Sequence, residues 1–98
     1  QLLEYGPIKM NIAAHKVTAN GTEILLTALE FKLLKHLLKR RGRVQSRDQL
    51  LNDVWKLSTE VTTRTVDTHI KRLREKLGKS GDLIQTIRGV GYRFNNLN

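Results

Sequence analysis

The hydrophobic pattern of this chain changes period at Thr27, and that change limits the folds open to it. Before Thr27, apolar and polar residues alternate in short pieces: Ile8-Lys9-Met10-Asn11-Ile12, Val17-Thr18-Ala19 and Glu23-Ile24-Leu25. A period of two sets one face of a strand against a core. Asn20-Gly21, between the last two pieces, is a two-residue hairpin signal, because both residue types accept positive φ. Pro7 falls near a strand start, where a missing N–H does least harm. A small antiparallel sheet is expected over residues 2–26.

From Thr27 the spacing becomes helical. Thr27-Ala28-Leu29-Glu30 is a capping box, with the hydroxyl and the carboxylate each serving an orphan backbone N–H. Phe31, Leu33, Leu34, Leu37 and Leu38 then recur on one side. Lys39-Arg40-Arg41 suits the negative end of the helix dipole, and Gly42 closes it. A second box, Ser46-Arg47-Asp48-Gln49, starts a shorter helix with Leu50, Leu51, Val54 and Trp55 on its buried side. Lys56 to Thr63 lacks periodicity and reads as a loop. A third helix runs from about Arg64 to Leu77, ahead of Gly78, and Ile84 to Phe94 reads as a strand–turn–strand around Gly89-Val90-Gly91. The class is α+β in a single domain, since 98 residues support one core.

On the third helix, Val66, Ile70, Leu73 and Leu77 fall within roughly 60° of one another at about 100° per residue. That stripe faces the core. Arg64, Thr68, Lys71, Arg72 and Glu75 are left pointing outward, with Asp67 and Arg74 on one flank and His69 and Lys76 on the other. Charge follows the same division. Residues 1–30 hold two cations against three acids, whereas residues 31–98 hold sixteen against six, within a total of +9. A strongly basic domain with its charge in one part suits a polyanion. An α-helix fits the major groove of B-DNA, where arginine pairs with guanine and a threonine methyl meets thymine. Arg88, on a slim hairpin, suits the narrow minor groove of A·T-rich DNA.

These motifs resemble the winged-helix DNA-binding domains of the OmpR/PhoB family of bacterial two-component response regulators. The matching residues are 26–34 (Leu26-Thr27-Ala28-Leu29-Glu30-Phe31 and onward), 42–51 (Gly42-Arg43-Val44-Gln45-Ser46-Arg47 and onward) and Val54-Trp55. Arg64-Thr65-Val66-Asp67-Thr68-His69-Ile70, Leu73-Arg74-Glu75-Lys76-Leu77 and Thr86-Ile87-Arg88-Gly89-Val90-Gly91-Tyr92-Arg93-Phe94 follow in order. The resemblance spans residues 5–95. It implies a winged helix-turn-helix with an N-terminal antiparallel sheet, three helices and a C-terminal β-hairpin wing. Residues 1–4 would then be a linker remnant, and 5–98 the domain, cut from a phosphorylated receiver domain.

By the same resemblance, Arg72 reads a base, Thr68 meets a base methyl and Arg88 enters the minor groove. Arg64, His69, Lys71 and Arg74 hold phosphates or the groove wall. Arg47 and Trp55 touch phosphates from the second helix, Thr86 and Tyr92 from the wing. Loop 56–63 corresponds to a segment that contacts RNA polymerase in the family. Tandem docking on direct repeats of double-stranded DNA, a monomer in free solution and a bacterial cytoplasmic location are implied as well.

Other classes find little support. Catalysis needs a nucleophile–base set or paired carboxylates, and neither is present, so no enzyme is expected. The chain has no cysteine, and His15, His36 and His69 fall on different elements, so no metal or cofactor is expected. No apolar run approaches the roughly 18 residues that span a membrane. The competing reading is a winged-helix protein-interaction module, in which the basic face meets an acidic protein and selects no DNA sequence.

Overall fold

The computed structural model describes residues 1–56 and 61–95. Its N-terminal sheet is a meander of four antiparallel strands: β1 (Leu2–Tyr5), β2 (Ile8–Asn11), β3 (Lys16–Ala19) and β4 (Thr22–Ile24). The Asn20-Gly21 hairpin forms as expected, with φ of 53° and 80°. Ile8, Met10, Val17 and Ala19 all face inward and are buried, which is the period-two pattern made physical.

β1 corrects the assignment of residues 1–4 to a linker. Leu2, Leu3 and Glu4 pair with Asn11, Met10 and Lys9, and Glu4 lies 3.3 Å from the Lys9 ammonium. The Leu2-Leu3 pair breaks the alternation and Leu2, on the edge strand, is 73% exposed, yet the strand falls within the sheet expected over residues 2–26.

α1 (Ala28–Lys39) begins with both halves of the Thr27–Glu30 box in place and buries Phe31, Leu33, Leu34, Leu37 and Leu38. Glu30 is itself buried, and it also accepts from the Lys76 ammonium at 2.6 Å. Burial pushes its carboxyl up, but hydrogen bonds from Lys76 and the Thr27 backbone outweigh this and leave it below its ordinary value.

A two-residue strand, β5 (Gln45–Ser46), leads directly into α2 (Arg47–Leu50), and Ser46 serves as the N-cap with Gln49 completing its box. The second helix differs from expectation in its last turn. Leu51–Trp55 widens to π geometry, with the Lys56 N–H reaching back to the Leu51 carbonyl at 3.2 Å. Leu50 and Val54 are buried there, whereas Leu51 and Trp55 are only half-buried.

α3 (Thr63–Leu77) is followed by a 3₁₀ segment over Gly78–Leu83. The wing then forms from β6 (Ile84–Ile87) and β7 (Gly91–Phe94), and β5 adds to β7 as a third strand. One core joins the two sheets and three helices, with Leu33, Leu34, Leu50, Val66, Leu73 and Phe94 fully enclosed.

Candidate nucleic-acid interface

α3 presents the face that its sequence dictates. Val66, Ile70, Leu73 and Leu77 are at most 3% exposed. Arg64, Thr68, Lys71, Arg72 and Glu75 are all exposed on the opposite side. Thr68 turns its hydroxyl back to donate to the Arg64 carbonyl at 3.2 Å, which leaves its methyl as the group offered outward. Among the described residues, no hydrogen bond or ion pair engages the side chain of Arg64, Lys71 or Arg72. Three cations therefore stand free on one helix face.

The expected phosphate-contacting groups behave differently, because four of them are built into one frame centred on Asp67. Arg47 donates to this carboxylate through Nε at 3.0 Å and Nη2 at 2.9 Å, a bidentate pair joining α2 to α3. The Tyr92 hydroxyl on β7 donates to the same Oδ1 at 2.6 Å. Arg74 places its guanidinium 5.5 Å from the Tyr92 ring centre and donates to the Thr86 hydroxyl at 2.5 Å. Arg74, sideways in the helical projection, thus reaches across to the wing. Burial raises the Tyr92 phenol, and its bond to Asp67 raises it further. The hydrogen bonds to Asp67 likewise hold Arg47 above its ordinary range.

Trp55 and His69 pack edge to face, with ring centres 5.2 Å apart. His69 Nδ1 lies 2.9 Å from the Thr65 carbonyl, which can only accept, so that nitrogen carries the proton. Both remain accessible at the edge of the helix face.

Beyond the last wing pair, Ile87 with Gly91, the tip Arg88-Gly89-Val90 is exposed, and Gly89 adopts φ +76°. A concavity of about 130 Å³ is lined by this tip, Arg47, Thr86 and Tyr92. The two glycines do different work. Gly89 supplies the positive φ, whereas a Cβ on Gly91 would strike the Gln45 carbonyl oxygen.

Most of the residues singled out in the sequence lie along α3, the start of α2 and the wing. Of the loop 56–63, residues 57–60 lie outside the described residues. An acid on the flank of this basic helix is expected to orient a neighbouring arginine, and that arginine is Arg47 of α2. The signal is Asp67 itself, an acid one turn from Arg64 on a helix that carries five cations and, besides it, only Glu75.

Residues 21–94 match the sequence model of a family described as the C-terminal domain of transcriptional regulatory proteins. The chain belongs to this family. It is 44% identical over 97 residues to the transcriptional regulatory protein ResD of Bacillus subtilis, covering 95% of this chain and 40% of ResD. It is 42% identical to SrrA of Staphylococcus aureus, with the same coverage. The chain therefore spans about two fifths of these relatives' length.

Among solved structures, DrrB of Thermotoga maritima, a response regulator and OmpR/PhoB homologue, superposes with a TM-score of 0.85 at 35% identity, over 97% of this chain and 44% of DrrB. The DNA-binding domain of RstA from Klebsiella pneumoniae, solved with its RstA box, gives 0.85 at 28% identity and 97% coverage of both chains. The AdeR DNA-binding domain, solved with an intercistronic region, gives 0.84 at 30% identity, over 96% of this chain and 98% of AdeR. The architecture is that of the OmpR/PhoB winged helix, as the motifs implied.

Proposed function

We propose that this domain is the effector half of a bacterial response regulator and binds double-stranded DNA with sequence preference to control transcription. The observation that carries the reading is the free cationic face of α3, flanked by a wing whose tip presents another exposed arginine. α3 enters the major groove, where Arg72 pairs with a guanine edge and the Thr68 methyl meets a thymine. The wing lies over the adjacent minor groove with Arg88 inserted. Arg64, Lys71, His69 and Trp55 hold phosphates along the helix, and Arg47, Arg74 and Thr86 hold them between α2 and the wing. Tyr92, expected there too, has its one hydroxyl proton on Asp67 and supports Arg47 instead.

Two copies dock in tandem on direct repeats while the free domain stays monomeric, because one small core consumes most of its apolar residues. Loop 56–63 is the surface offered to RNA polymerase, in the bacterial cytoplasm where transcription takes place. The proposed receiver half and its phosphorylation lie outside this chain.

Selection of bound duplexes from a random pool tests the proposal. A recurrent motif is expected, with affinity falling log-linearly in salt at about −0.9 per phosphate neutralised. A pool that stays random, or a flat salt response, would instead indicate a protein-interaction module.

A further inference from the structure

A carboxylate on a face meant for phosphate needs a reason. Asp67 stands among Arg47, Arg64, Lys71 and Arg74, where its charge repels the polyanion that those cations attract. Fold stability does not supply the reason. The Arg47 and Asp67 side chains are 50% and 33% exposed, and ion pairs that open to water add little to stability.

Geometry does supply one. Three of the four lone-pair sites on the Asp67 carboxylate are filled, by Arg47 Nε, Arg47 Nη2 and the Tyr92 hydroxyl. Those donors come from the first turn of α2 and the middle of β7. Through the Tyr92 ring, the frame continues to Arg74 and on to Thr86 of β6. Three elements that would each meet the duplex are thereby held in one fixed relation.

We propose that Asp67 is a positioning residue that sets sequence selectivity, locking Arg47 and the wing to α3 and withholding part of the Arg47 charge from non-preferred DNA. The inference rests on the DNA-binding reading above. With the frame intact, two of the five Arg47 N–H groups are committed to Asp67, and the other three can meet a phosphate only where the duplex places one correctly. With the frame broken, Arg47 becomes a mobile point of attraction for any backbone. A duplex that fits the rigid surface then loses its advantage over one that does not, since indiscriminate charge favours both equally.

The experiment measures the affinity of the domain for its selected duplex and for a scrambled one across a salt series. The parent is compared with Asp67→Asn and Tyr92→Phe. Asparagine can no longer accept the Arg47 fork at both atoms, so Asp67→Asn should lower the preferred-to-scrambled ratio about tenfold, the share of one charge-assisted bond. It should also steepen the salt slope on the scrambled duplex by about 0.9, as Arg47 is released to neutralise one more phosphate.

Tyr92→Phe removes one hydroxyl while keeping the ring packed. It should lower the ratio about threefold, a neutral donor's share, and leave the slope alone. Should Asp67→Asn fail to fold, Tyr92→Phe carries the test by itself. Variants that weaken both duplexes in equal proportion, or that keep the parent's ratio and slope, would overturn the proposal and leave Asp67 a structural tie. A parent that does not discriminate between the duplexes would instead remove the DNA-reading proposal, and this inference with it.

Discussion

Replacing Leu73 by alanine isolates what the core face of α3 contributes, because its neighbour Arg72 points the opposite way. Leu73 is fully buried, within a stripe whose members Val66 and Ile70 are also at most 1% exposed. Alanine removes three carbons, and at about 0.8 kcal/mol each the lost transfer energy is about 2.4 kcal/mol. The cavity adds to this. Leu50, Leu34 and Phe94 are as enclosed as Leu73 itself, so a well-packed core of this kind relaxes little into the void. The cost should therefore lie in the upper half of the 2–5 kcal/mol range of such truncations, about 3.5–5 kcal/mol. Set against a stability of about 5–15 kcal/mol for a chain of this size, that is a large fraction. At about 4–8 °C per kcal/mol, the melting temperature should fall by at least about 14 °C. Thermal unfolding followed by far-ultraviolet circular dichroism measures it, with Arg72→Ala as the paired control expected to melt within about 2 °C of the parent, as surface changes do. If Leu73→Ala melts like the parent, or Arg72→Ala melts like Leu73→Ala, the helix phase on which the whole interface rests is wrong.

The same Arg72→Ala variant should lose about 1–3 kcal/mol on the preferred duplex and blur one or two base positions, measured against single-substituted duplexes; uniform weakening would reduce Arg72 to a phosphate clamp. Arg88→Ala should lose most on sites with an A·T-rich flank under the wing, read by the same titrations with G·C flanks as the comparison. Gly91→Ala should detach β5 from β7, because the added Cβ would collide with the Gln45 carbonyl, and loss of hydrogen-exchange protection at Gln45 and Tyr92 would report it. Acid should destabilise the domain in two stages. Burial, with nearby Arg40, holds the His36 imidazole below its ordinary value of 6.5, so its stabilising share is complete above 6.5 and is lost as pH falls below it. Glu30, held below 4.5, adds a second loss at lower pH; melting temperatures from pH 8 to 3 test this, and His36→Gln should flatten the upper stage.

The parts of this domain written locally were the parts legible in the sequence. Both capping boxes close on residues three apart, and the α3 stripe repeats within four turns, so each could be read without knowing the rest of the chain. β5 could not. Gln45 and Ser46 are too short for a period and become a strand only because Tyr92 and Gly91, over forty residues later, lie alongside. The Asp67 frame failed to show for the same reason, since its donors sit 20 and 25 residues away. An acid on that flank implied an arginine to orient, but spacing along α3 could not name Arg47 or add Tyr92. The free cations Arg64, Lys71 and Arg72 were easier, because having no partner is what an outward position on an amphipathic helix already implies.

The close approach of Gly91 to the Gln45 backbone makes the wing two parts with different tolerances. Its base is fastened to the residues that open α2, and any bulk added there must push the two strands apart. Its tip, residues 88–90, extends past the last rung of the ladder and is exposed to solvent. Tips of other lengths and charges could therefore be grafted between Ile87 and Gly91 while the α3 surface keeps its shape. Minor-groove preference and major-groove preference could then be exchanged separately, as interchangeable modules on one scaffold.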